Sequence, residues 1–230
     1  MDQLKYFLFD YDGTLCSTHP TINQAIKETF IKYKLDIPDE KARQLAISSG
    51  ITIQETIALI HPEGKALPVE YLSEMVTSYR SIYAELDKEY TTLFEGAEAT
   101  LSGLKSQGKT IVVLSNKGFQ AVTNSLKFFN LEKYTDLLLA EGSPAMLNQK
   151  MKPNSSAYHH VIKKHFHIKS DDQVLMTGDT QSDILFAKKS GIKSCWASYG
   201  YGDQQACRRL HPDVTIEKLT SFLSVMQERK

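Results

Sequence analysis

Five short apolar runs, at residues 6–10, 110–115, 137–140, 173–177 and 193–197, are rich in β-branched or aromatic side chains and constrain the fold more than any other feature of this chain. Runs of this length without polar alternation predict strands buried on both faces, as parallel strands are. Between the later runs the spacing changes. Phe119, Val122, Leu126 and Phe129 share one helix face, as do Ile184 and Ala187. A helix over 180–190 has Lys188 and Lys189 in its last turn and Gly191 just beyond, a common stop signal. A further helix is expected over 153–166. Strand alternating with helix predicts an open α/β sheet with helices on both faces.

Residues 17–87 break this rhythm, offering helical segments and no convincing strand. Pro20, Pro38, Pro62 and Pro68 punctuate the stretch at helix starts or breaks, which predicts about four helices of modest length. The reading is an inserted all-helical domain, with 1–16 and 88–230 forming the α/β core. The two ends of the insertion must then lie close together in space.

Composition narrows the function classes. The 230 residues carry 27 Lys plus Arg and 27 Asp plus Glu, giving a formal net charge of +0 with no block of either sign, so nothing calls for nucleic acid. At 41% hydrophobic and 23% charged, the chain has the balance of an ordinary globular protein. No apolar run reaches the roughly 18–20 residues needed to span a bilayer, and the first residues lack a signal-peptide pattern. A cytoplasmic protein, monomeric or homodimeric, is expected. Cys16, Cys195 and Cys207 show no CxxC spacing and read as reduced thiols.

The chemistry gathers at the carboxyl ends of the predicted strands, where open α/β sheets place their sites. The first strand runs into Asp10-Tyr11-Asp12-Gly13-Thr14, the second into Ser115-Asn116-Lys117, and the fourth into Gly178-Asp179-Thr180-Gln181-Ser182-Asp183, while Lys152-Pro153 opens a helix. Several carboxylates converging on one edge would repel one another without a cation between them, and hard oxygen ligands favour Mg²⁺. A carboxylate beside a metal can attack an electrophile, and a lysine with a nearby serine hydroxyl can hold phosphoryl oxygens. The set suits phosphoryl transfer.

These residues resemble the haloacid dehalogenase superfamily, in its phosphoglycolate-phosphatase-like branch. The DxDGTL signature is complete at 10–15, followed in order by Ser115-Asn116-Lys117, Lys152-Pro153 and the GDTxxDI element at 178–184. The resemblance implies a Rossmann-like core with a helical, C1-type cap inserted after the first strand. It implies a Mg²⁺-dependent phosphatase acting on a small phosphorylated metabolite, with phosphoglycolate as one candidate. By the same resemblance, Asp10 is the nucleophile that becomes an aspartyl-phosphate, and Asp12 the acid and base. Ser115 and Lys152 hold the phosphoryl group, helped by Gly13, Thr14 and Asn116. The Asp10 carboxylate, the Asp12 carbonyl, Asp179 and Asp183 surround the metal. An acid at position 12 also disfavours dehalogenation, because a halide leaving group needs no proton. Ser17, where relatives often carry Asp, is a departure that bears on the approach to the cap and on substrate choice.

The same residues admit other readings. A β-phosphoglucomutase-like mutase, a nucleotidase or pyrophosphatase of the same superfamily, and a non-catalytic phosphate-binding regulatory protein share the acidic set. Asp179 has a competing role as a turn residue, and Asp183 one as the partner of Thr180 in a helix-capping box. Asn116 and Lys117 could merely start the next helix. Residues 103–110 match the P-loop pattern letter for letter, but they follow a helical run and lead into a strand, the reverse of the order a P-loop needs. A calcium loop starting at Asp10 would want glycine where Leu15 stands. The histidines at 159–160 and 165–167 fit no metal-ligand spacing. Thr18, His19, Arg43, the turn at 48–50 and Arg80 are cap residues expected near a substrate.

Overall fold

The computed structural model describes residues 3–228. Six strands, β1 (Tyr6–Phe9), β4 (Thr110–Gly118), β5 (Leu137–Glu141), β6 (Val174–Gly178), β7 (Lys193–Ala197) and β8 (Val214–Ile216), form one sheet in the order β5-β4-β1-β6-β7-β8. Every pairing in it is parallel. Two-residue strands β2 (Cys16–Ser17) and β3 (Thr92–Leu93) form a separate antiparallel pair.

Strand geometry sends alternate side chains to opposite faces. Phe7 and Phe9 of β1 join one core with Leu101 and Leu104 of α5 (Ala97–Ser106), Val122 and Leu126 of α6 (Phe119–Phe128) and Phe222 of α10 (Phe222–Glu228). Leu8, between them, joins a second core on the other face with Phe186 of α8 (Gln181–Ser190) and Ile162. The winding reverses between β1 and β6, since the chain proceeds outward through β4 and β5, then returns to continue outward through β6, β7 and β8. Such a switch point leaves a crevice at the strands' carboxyl ends.

Helices α1 (His19–Lys32), α2 (Glu40–Ser48), α3 (Ile53–Ile60) and α4 (Val69–Tyr90) lie between β2 and β3. Their starts follow local chemistry. Pro20 sits in the first turn of α1, the Asp39 side chain accepts from the Ala42 N–H at α2, and Thr52 with Glu55 makes a capping box at α3. They enclose a third core around Ile26, Phe30, Ile57, Met75 and Val76. The pairing of Cys16 with Leu93 and of Ser17 with Thr92 holds the ends of the insertion together.

Some details depart from the sequence expectation. The helix expected over 153–166 begins only at Ala157, as a π-helical segment to Ile162 followed by a single α-helical turn, α7 (Lys163–His165). Its first residues are taken up by a polar turn in which Asn154 accepts from the Ser156 N–H and Ser156 accepts from the Lys150 N–H. β4 runs beyond residue 115 to Gly118, because after a register shift Gly118 still pairs with Glu141. The P-loop look-alike ends a helix and precedes a strand, with Gly108 in the left-handed region at φ 69°.

Leu8 is fully buried at the centre of the sheet, so Leu8→Ala should destabilise the protein by about 2–5 kcal/mol. Thermal denaturation should register this as a midpoint lowered by about 2–4 °C per kcal/mol; an unchanged midpoint would contradict the packing described.

Candidate active site

Asp10 follows the last residue of β1 and Asp179 the last residue of β6, so the switch point brings them together from segments remote in sequence. Tyr11, between the two acids of the first motif, points into the core and its hydroxyl bonds Ser125, which leaves Asp10 and Asp12 on the crevice side. The chain then turns tightly, the Tyr11 carbonyl accepting from the N–H groups of Leu15 and Cys16, each at 3.0 Å. Gly13 makes the turn at φ 71°, and a Cβ there would collide with the Asp179 carboxylate.

Lys152 is buried among these acids. Its Nζ lies 2.8 Å from Asp10 Oδ1 and 2.7 Å from Asp183 Oδ1. The other Asp183 oxygen, Oδ2, accepts from the Thr180 N–H at 3.0 Å and hydroxyl at 2.8 Å, so this residue both caps α8 and belongs to the acidic cluster. Asp179 Oδ2 accepts from the Tyr201 N–H at 2.7 Å, and its backbone carbonyl accepts from the Trp196 indole at 3.0 Å. Asp179 Oδ1 is buried with no hydrogen-bond partner.

Asp12 turns the other way. Its Oδ1 lies 3.0 Å from Lys117 Nζ, and that ammonium sits 3.8 Å from the centre of the Tyr83 ring on α4. The Asp12 side chain is therefore outside the cluster of Asp10, Asp179 and Asp183. Ser115 is buried, with its Oγ accepting from the Lys117 N–H at 3.2 Å, and the Thr14 hydroxyl is buried without a partner. The Asn116 side-chain amide donates to the carbonyls of Gly50 and Lys152, each at 2.8 Å. That amide ties the helical insertion to the lysine loop.

The carboxylate oxygens of Asp10, Asp179 and Asp183 lie within 4.8 Å of one another, the one group of potential metal ligands found among the described residues. One ammonium faces three carboxylates here. Burial pushes the Asp10 carboxyl from its ordinary 3.8 up to about 7, against the pull of Lys152 and with Asp183 and Asp12 adding to the rise. Burial, then Asp183 and Asp10, push Asp179 well up. Burial works against the charge of Lys152, yet Asp10 and Asp183 hold its pKa above the ordinary lysine value. The donor set is all oxygen, one buried oxygen is orphaned, and glycines 13 and 200 pack so closely on Asp179 that no side chain can fill the space. These features fit a hard divalent cation.

Sequence reasoning picked out the acids, Ser115 and Lys152, but missed several supports. Tyr201 was absent from it, although Gly200-Tyr201-Gly202 just beyond a strand end is a visible signal; a Cβ on Gly202 would strike the Asp179 carbonyl. Trp196 of β7 is buried against Ile184 and Cys207, and its indole N–H also fixes the Asp179 backbone. Of the expected cap residues, Gly50 and Arg80 line the cavity above the acids. Arg43 does not reach it: its guanidinium is held by Asn23 and by the Pro38 carbonyl. His19 packs on Tyr201, and its N–H donates to that hydroxyl at 3.2 Å.

A parallel sheet with acids meeting at its switch point and helices inserted after the first strand defines a class of α/β hydrolases. The family model of haloacid dehalogenase-like hydrolases matches residues 7–197, and this chain belongs to that family. It is 27% identical over 228 residues to a phosphoglycolate phosphatase of Mannheimia succiniciproducens, covering 97% of this chain and 99% of the relative. It is 24% identical over 225 residues to the pyrophosphatase PpaX of Halalkalibacterium halodurans, with 97% of each covered. The crystal structure of a predicted phosphoglycolate phosphatase from Haemophilus somnus 129pt superposes with a TM-score of 0.84 at 22% identity, over 98% of this chain and 99% of the other. No helix among the described residues is long and apolar enough to cross a membrane.

An Asp10 carboxyl raised by burial holds its proton to higher pH than the same group in the unfolded chain, so folding takes up protons between 3.8 and about 7. That stabilising contribution is full below 3.8 and gone above about 7. In excess EDTA the denaturation midpoint should therefore fall by a few degrees between about pH 5 and about pH 8, one pK unit being about 1.4 kcal/mol. Asp179→Asn should shrink the fall, because the Asp179 carboxyl is itself pushed well up by burial and the variant removes its contribution. A midpoint flat or rising over this range would sink the electrostatic account.

Proposed function

We propose that this protein is a Mg²⁺-dependent phosphatase that hydrolyses a small phosphorylated metabolite through an aspartyl-phosphate on Asp10. One observation carries the reading: Lys152 bridges Asp10 and Asp183 inside a buried cluster that also contains Asp179 with an orphaned oxygen. The names of the relatives, phosphoglycolate phosphatase and pyrophosphatase, agree in chemistry while differing in substrate.

Asp10, the Asp12 carbonyl, Asp179 and Asp183 would hold the Mg²⁺, which when bound offsets the charge of the acids and of the phosphoryl group. The Asp10 carboxylate attacks phosphorus and the ester oxygen departs. Lys152, fixed by Asp183, presents its ammonium to the phosphoryl oxygens, with the Ser115 and Thr14 hydroxyls and the turn at Gly13 around them. Asp12 gives its proton to the departing alcohol and then takes one from the water that hydrolyses the aspartyl-phosphate. Lys117 positions Asp12, being held between that carboxylate and the Tyr83 ring. Asn116 acts chiefly through the backbone it braces. The helical insertion, which continues past the expected end at 87 to the end of α4 at Tyr90, serves as the cap that keeps water from the reacting groups.

Asp10→Asn should retain the fold and lose at least about a thousandfold in kcat, since an amide is a far weaker nucleophile. Wild-type turnover in that variant would refute the nucleophile. Asp12→Ala should cost about 10²–10⁴ in kcat with an alkyl phosphate and much less with an aryl phosphate, whose leaving group needs little protonation; equal losses on both would remove Asp12 from the acid role. EDTA should abolish steady-state phosphate release and added Mg²⁺ should restore it.

A further inference from the structure

Above the acids lies a cavity of about 480 Å³, within the range of pockets that hold drug-sized ligands. A two-carbon leaving group would occupy a small part of it. Its walls are largely apolar: Ile22, Ile47, Ile53 and Tyr79 come from the insertion, and Phe119 and Ala121 from the start of α6. Each of α1, α2, α3 and α4 thus contributes an aliphatic or aromatic side chain to the space where the leaving group must lie.

The charges in this cavity point the same way. Its lining includes the carboxylates of Asp10, Asp12, Asp179 and Glu141 and, among the described residues, two cations, Arg80 and Lys117. Lys117 is engaged by Asp12 at 3.0 Å, and Arg80 by Glu141 at 2.8 Å. Lys152, beneath them, is engaged by Asp10 and Asp183. Beyond the groups that receive the phosphoryl oxygens, both cations among the described lining residues are matched by a carboxylate, Lys117 in a largely buried pair and Arg80 in a half-exposed one. With Asp10 and Asp179 given to the metal and Asp12 and Glu141 paired with the two cations, a second anionic group on the substrate would meet apolar walls, and desolvating it there would be costly. Gln120 and Asn124, also in the lining, supply neutral hydrogen-bonding groups instead.

We infer that the substrate is the phosphate monoester of an uncharged alcohol with a bulky apolar or aromatic body, and that Ile53, Tyr79 and Phe119 select it. Phosphoglycolate and pyrophosphate, each with a second anionic group close to the reacting phosphate, are poor substrates of this chain. This inference rests on the phosphatase reading above.

The test compares kcat/KM for 2-naphthylmethyl phosphate, phosphoglycolate and pyrophosphate with Mg²⁺ at saturation; the first two are esters of primary alcohols, which limits the difference in intrinsic reactivity. The naphthylmethyl ester should exceed each of the others at least tenfold. Phosphoglycolate or pyrophosphate equal to it or better would overturn the substrate class and leave the phosphatase reading intact. No turnover of any of the three, with wild type indistinguishable from Asp10→Asn, would overturn both. Ile53→Asp should lower the ratio of kcat/KM between the naphthylmethyl ester and phosphoglycolate at least tenfold. Because a ratio is insensitive to the fraction of folded enzyme, an unchanged value would refute Ile53 as a wall of the leaving-group site.

Discussion

Three buried carboxylates share one ammonium at the reversal point of the sheet. This imbalance governs much of the surrounding structure, because buried like charges are tolerated only where fixed dipoles, counter-ions or protons offset them. Each offset here has a named source. Lys152 lies against Asp10 and Asp183, the Tyr201 N–H faces Asp179, and Thr180 gives both its N–H and its hydroxyl to Asp183. What remains uncompensated is one oxygen of Asp179 and the shifted titration of Asp10 and Asp179. A divalent cation is the simplest group that satisfies such a set.

The glycines around the cluster follow from the same crowding. Gly13, Gly178 and Gly200 each stand where a Cβ would collide with a carboxylate residue, Asp179 for the first and third and Asp183 for the second. Gly50 belongs to the same group although it lies in the helical insertion. At φ 64° it packs on Thr180, and its carbonyl accepts from Asn116. The α2–α3 turn thus closes directly over the residue that caps α8. Arg80 with Glu141 makes a second tie between insertion and core, but half of the Arg80 side chain is exposed, so solvent weakens this pair and the packed Gly50 contact holds the closure more firmly.

Much of the core was legible from side-chain pattern. Five of the six sheet strands announced themselves as apolar runs because a strand buried on both faces carries few polar residues. β8 did not, since only Val214 and Ile216 of its three residues are buried, too short a stretch for any periodic signal. β2 and β3, of two residues each, are set by the need to close the insertion. The π-helical start at Ala157 was hidden because its apolar residues fit an α-helix nearly as well. At the site, the acids and Lys152 could be read from their place after strands. Trp196 acts through one buried hydrogen bond that no side-chain pattern marks, and Tyr201 acts through its backbone N–H, signalled only by the glycines on either side of it.

The amino-acid order alone determined that an α/β sheet would form, that helices would interrupt it after the first strand, and that acids would collect at one edge. Those properties depend on local periodicity and on which residue follows each strand. Only the tertiary structure decided that Asp12 faces Lys117 while Asp10 faces Lys152, that the Asn116 amide braces Gly50, and that the space above the acids is walled by isoleucines and aromatic rings. Each of these relations joins segments far apart in the chain, so its geometry is fixed by how the insertion packs on the sheet.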